Sequence, residues 1–89
     1  MAEIDVTPLG GGRFRVRVAE GASSTQHEVS VAAADLERLG ARYPSPEAFV
    51  RACFEFLLER EQKESILRSF DVTVIGRYFP EFERVITAR

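Results

Sequence analysis

The spacing of apolar side chains changes about a third of the way along the chain. Before residue 32 they recur at every second position, and beyond it at intervals of three and four. Ile4 and Val6 alternate with Glu3, Asp5 and Thr7, which predicts a first strand over 3–7, ended by Pro8 and by the flexible turn Gly10-Gly11-Gly12. Arg13-Phe14-Arg15-Val16-Arg17-Val18 alternates throughout and predicts a second strand over 12–19, with Phe14, Val16 and Val18 facing a core and the arginines facing out. After the loop Glu20-Gly21-Ala22-Ser23-Ser24 comes a third strand over 25–31, with Val29 and Val31 on one face and Glu28 and Ser30 on the other. A loop centred between Gly21 and Ala22 sets Val16 opposite His27, Phe14 opposite Val29, Arg15 opposite Glu28 and Arg17 opposite Gln26. A slip of one residue would turn the valines to solvent, so the burial pattern fixes this parity.

The remainder reads as helix. Ala33 to Leu39 are strong helix formers with Gly40 as a stop, predicting a helix over 33–39. Ser45, Pro46 and Glu47 supply an N-cap, a first-turn proline and a first-turn acid for a core helix over 46–62. Its apolar positions include Phe49, Val50, Cys53, Phe54, Phe56, Leu57 and Leu58. They cover more than half the circumference, so the sheet and a second layer must both pack on it. A short helix over 64–68 follows. Residues 70–79 are ambiguous: Phe70, Val72 and Val74 alternate as in a strand, whereas Val72, Ile75 and Phe79 repeat as in a helix. The favoured reading is a helix over 71–79, then a last one over 81–87 opened by Pro80 and Glu81. The fold class is thus α+β: one domain over 1–89, a three-stranded antiparallel sheet and helices packed on one face.

Composition limits the size and class of the molecule. A chain of 10.0 kDa folds with about 5,200 Å² of accessible surface, enough for one modest core. With 45% hydrophobic and 29% charged residues it is an ordinary globular composition, and no apolar run approaches membrane-spanning length. The opening Met1-Ala2-Glu3-Ile4-Asp5 lacks signal-peptide character, and the single cysteine forms no internal disulfide; both fit a reducing, cytoplasmic setting. The net charge of -2 gives no bulk attraction to nucleic acid or anionic membrane, so any such role needs a local patch.

Arg13, Arg15 and Arg17 form the strongest local patch. Alternate positions of one strand put three guanidinium groups on one sheet face nearly 7 Å apart, suited to phosphate or to an acidic partner. Glu3, Asp5 and Glu28 share that face and can neutralise it, and no stacking aromatics accompany it. The second candidate is aromatic. Tyr78, Phe79 and Phe82 crowd the C-terminal region, either tying the tail to the core or forming an interface for a protein partner or a second copy.

Catalytic and metal signals are sparse. His27 falls on the inward parity of the third strand with no partner at an informative spacing, and Cys53 lies among aromatics. One His and one Cys make a structural zinc site improbable, and Glu59, Glu61 and Glu64 read as a solvated acidic run. The three glycines join two strands with no following lysine, so they make a turn rather than a phosphate cradle. The expectation is therefore no catalytic residue, no cofactor and no metal.

The strand-strand-strand-helix order over residues 3 to 39 resembles HicB-like antitoxins, small bacterial regulators that pair with a toxin and bind DNA as oligomers. The likeness is one of topology, and no ribbon-helix-helix strand follows the helices. Leu58-Glu59-Arg60-Glu61, Glu64-Ser65-Ile66-Leu67 and Tyr78-Phe79-Pro80-Glu81-Phe82-Glu83 resemble segments of small uncharacterised bacterial proteins and imply no activity. The expected function is a protein-interaction or regulatory module acting through a protein partner or self-association as a homodimer. It requires a contiguous apolar patch from the tail and the outer side of helix 46–62. The alternative is a nucleic-acid-associated regulator using the arginine strand, which requires a strip left unneutralised by Asp5 and Glu28.

Overall fold

Alternation builds the first three strands as expected. In the computed structural model, which describes residues 2–89, β1 (Glu3–Gly10), β2 (Arg13–Glu20) and β3 (Ser23–Ser30) form an antiparallel meander. Across β2 and β3, Phe14 pairs with Val29, Arg15 with Glu28, Val16 with His27 and Arg17 with Gln26. Phe14, Val16, Val18, His27 and Val29 are buried, while the arginines stand on the opposite, open face. β1 runs past Pro8, which therefore does not end it. As an edge strand β1 pairs on one side only, which is where a residue without an N–H is tolerated. At the turn, a Cβ on Gly12 would lie 2.6 Å from the carbonyl oxygen of Val31, whose N–H donates back to the Gly12 carbonyl at 2.7 Å. No other residue fits there.

A fourth strand corrects the three-stranded expectation. β4 (Ser69–Asp71) lies parallel to β3, giving a mixed sheet of order β1-β2-β3-β4. The ambiguous segment uses both of its patterns: Phe70 faces inward from β4, and a short helix begins only at Val74. Asp71 makes the transition. Its carboxylate accepts from the Ser30 hydroxyl at 2.7 Å, the Thr73 hydroxyl at 2.6 Å and the Thr73 N–H at 3.1 Å, joining the strand to β3 and turning the chain.

The helices are α1 (Ala33–Gly40), α2 (Pro46–Leu58), α3 (Val74–Tyr78) and α4 (Phe82–Ala88). Ser45 caps α2 by accepting from the Ala48 N–H at 3.1 Å. α2 stops at Leu58 rather than at 62, because Glu59 to Gln62 offer no apolar side chain to bury. The Leu57 carbonyl accepts from the N–H groups of both Arg60 and Glu61, which tightens the end. The helix expected over 64–68 shrinks to a single 3-10 turn, Lys63–Ser65, beyond which the chain extends toward β4. α1 ends at Gly40, though without the left-handed backbone of a glycine stop; a Cβ there would meet Leu36 at 2.8 Å and the Phe49 ring at 3.0 Å, so glycine lets α1 approach α2.

α2 is covered on two sides, by the sheet and by the C-terminal region. Phe49, Phe54 and Phe56 are fully buried, with Phe54 beside Phe70 and His27, and Phe56 edge-on to Phe79 and Phe82. The Tyr43 hydroxyl donates to the Ile86 carbonyl at 2.7 Å, and Arg38 reaches Glu83 at 2.7 Å, fastening α4 to the α1–α2 region. The accessible surface is 5253 Å², close to that expected from mass alone. No described helix is long and apolar enough to cross a membrane.

Candidate functional site

The arginine strand lies on the open face of the sheet, but its charge is largely balanced. Arg13 pairs with Glu28 at 3.2 Å and Arg17 with Asp5 at 3.8 Å. Glu28 faces Arg15 in register, yet its carboxylate reaches diagonally to Arg13, so no ion pair forms directly across the strands. Arg15 is the member of the trio without a carboxylate within 4 Å among the described residues.

The aromatic trio separates. Phe82 is fully buried, its ring 5.1 Å from Phe56, so it belongs to the core and not to an interface. Phe79 is half-buried against the other edge of Phe56 at 5.9 Å, and Tyr78 is 66% exposed. In the short helix α3 Ile75 is buried, while Tyr78 at its end is left outside.

Tyr78 stands at an apolar groove of about 390 Å³ between the end of α2, the 61–67 connection, β4 and α3. Leu57, Ile66 and Ile75, all buried, lie at its base, and Leu67, 46% exposed, rises with Tyr78 at its rim. Sequence reading did not find Leu67, Ile66 or Glu61 as site residues. The available signal was the apolar pair Ile66-Leu67 in an otherwise polar connection; the groove itself exists only because β4 pairs with β3 and brings residues 66–67 against α3.

Glu61 is the one charged side chain lining this groove. The acidic run divides according to its neighbours. Glu59 is held below its ordinary carboxylate range, mainly by a hydrogen bond from Arg89 at 2.7 Å and also by Arg60. Glu64 is likewise lowered by Lys63, whose buried stem brings its ammonium to 2.7 Å. Glu61 has no cation within 4 Å among the described residues, and partial burial pushes its carboxyl upward.

His27 and Cys53 are interior groups. The Leu67 carbonyl can only accept, so His27 Nδ1 carries the proton and donates to it at 2.8 Å, while the Thr25 hydroxyl donates to Nε2 at 2.8 Å. Both ring nitrogens are engaged, and burial pulls the imidazole below its ordinary range despite the Leu67 bond. Burial drives the Cys53 thiol strongly upward, so it is not a thiolate nucleophile. Among the described residues no three His, Cys, Asp or Glu side chains cluster as metal ligands.

Compared with protein-family models, curated proteins and solved structures, the chain has no match in any of the three. The HicB-like resemblance therefore has no matched relative behind it, and the functional argument stands on geometry.

Proposed function

We propose that this protein is a protein-interaction module, regulatory in character, that receives an apolar segment of a partner protein in the groove between the end of α2 and α3. One observation carries the reading: the two large hydrophobic side chains left exposed among the described residues, Leu67 and Tyr78, stand on the rim of the same groove. Scattered exposed apolar residues need no explanation, but two converging on a concave apolar surface mark a place where a partner removes them from water. An enclosed small-molecule site would bury most of its ligand; a groove with so open a rim suits a segment of a larger chain.

The nucleic-acid reading has less support. It requires an arginine strip free of counter-charge, and Asp5 and Glu28 engage two of the three arginines. Site-specific photocrosslinking in cells tests both readings, with the crosslinker placed at position 78 or at position 15. The expected result is a discrete protein adduct from position 78 that Leu67→Asp suppresses, with the purified adduct partner binding the Leu67→Asp variant at least about tenfold more weakly. Nucleic-acid adducts from position 15, with none from position 78, would overturn the proposal.

A further inference from the structure

We infer that the segment received in the groove is an apolar segment of a partner protein carrying a lysine or arginine beside its apolar anchors, and that this cation pairs with Glu61. The inference rests on the groove being the docking surface and adds the chemistry of what docks there. Two observations and one physical argument support it. Glu61 is the sole charge in a mostly apolar lining, and it has no cation within 4 Å among the described residues. Its neighbours in the acidic run, Glu59 and Glu64, are both held by cations of this chain, so Glu61 alone is left for an external one. Finally, docking would strip the remaining water from this half-buried carboxylate, and a desolvated carboxylate without a counter-charge opposes binding. An apolar segment lacking a cation is therefore selected against, and a basic one is favoured.

A second copy of the chain fits poorly. A two-fold contact centred on this groove would bring the same surface from both copies together, and with it two unpaired Glu61 carboxylates. The net charge of -2 also favours a basic partner at long range.

The test is selection of random phage-displayed peptides on the immobilised protein, with the Leu67→Asp variant used for counter-selection. Binding of the recovered peptides is then measured by titration against wild type, Glu61→Gln and Glu61→Lys, with folding of each variant checked by circular dichroism. The expected result is that the peptides share apolar residues with a flanking Lys or Arg. Glu61→Gln then weakens them about tenfold, and Glu61→Lys weakens them further. Groove-dependent peptides without a basic residue, bound equally by Glu61→Gln, would overturn the cation inference and leave the groove standing. Failure to recover any peptide that distinguishes wild type from Leu67→Asp would remove the groove reading itself. Light scattering that shows a dimer broken by Leu67→Asp would reassign the face to self-association and overturn the inference.

Discussion

The guanidinium carbon of Arg60 lies 3.6 Å from the centroid of the Phe56 ring. The same guanidinium donates to the Phe56 carbonyl at 3.1 Å and to Glu81 at 3.0 Å, so one side chain covers a core aromatic, satisfies the end of α2 and holds the approach to α4. Arg60→Ala is expected to lower stability by about 1 kcal/mol through the cation–π contact alone. Arg60→Lys is expected to restore only part of it, because an ammonium cannot present a planar face to the ring while donating on both sides. Urea denaturation of the three proteins measures this.

Phe54 and Leu57 face the core from α2, between sheet and C-terminal region. Phe54→Ala is expected to cost about 3–5 kcal/mol by opening a cavity, and Leu57→Ala about 2–5 kcal/mol by removing buried side chain at the base of the groove. Losses below about 1 kcal/mol for both would contradict this packing.

Two helical glycines are expected to respond in opposite directions. A methyl at Gly76 meets nothing within 4 Å, so Gly76→Ala is expected to stabilise α3 by up to about 1 kcal/mol. A methyl at Gly40 meets Leu36 and the buried Phe49 ring, so Gly40→Ala is expected to destabilise by about 1–3 kcal/mol through overpacking. Thermal melts of the two variants against wild type would reveal both signs.

The contrast shows what the sequence could and could not convey. Strand parity, the register of Val16 on His27 and the cap at Ser45 were legible because each depends on residues close together in the chain. α1 ends at Gly40 as expected, but the glycine's closeness to the Phe49 ring, a tertiary neighbour, was not legible. β4 was passed over for a helix because the alternation of Phe70, Val72 and Val74 competes with a helical repeat; what makes residues 69–71 a strand is the edge of β3 and the Ser30–Asp71 bond. The candidate site suffered likewise: Tyr78 was identified, Phe82 proved to be core, and Leu67 and Glu61 join the site only through the folded path of residues 59–71.

The pH dependence follows from two groups of opposite sign. His27 has its folded pKa below 6.5, so the unfolded chain takes up the proton first, and its contribution, complete above pH 6.5, is lost as pH falls toward the folded value. Wild type is expected to lose stability as pH falls below about 6.5, and His27→Gln to show a flatter profile there. Chemical denaturation at each pH provides the comparison.

Glu61 has its folded pKa above 4.5, so the unfolded chain releases the proton first and the ionised group weakens the fold as pH rises. Glu61→Gln is expected to be more stable than wild type at neutral pH, with the advantage shrinking as pH falls through the carboxylate range. Paired with weaker peptide binding, this would make Glu61 a residue that reduces stability in the service of recognition.

The parallel pairing of β4 with β3 also sets an order of events in folding. Ser30 and Asp71 are 41 residues apart, whereas β1 to β3 close through neighbouring turns. The meander can form early, but β4 must await α1 and α2, so the wall that carries Leu67 and Tyr78 is completed late and opens early. Hydrogen exchange at the Val72 N–H, bonded to the Ser30 carbonyl, is then faster than at Val16 in the central strand, so a partner in the groove would latch the last-assembled part of the molecule.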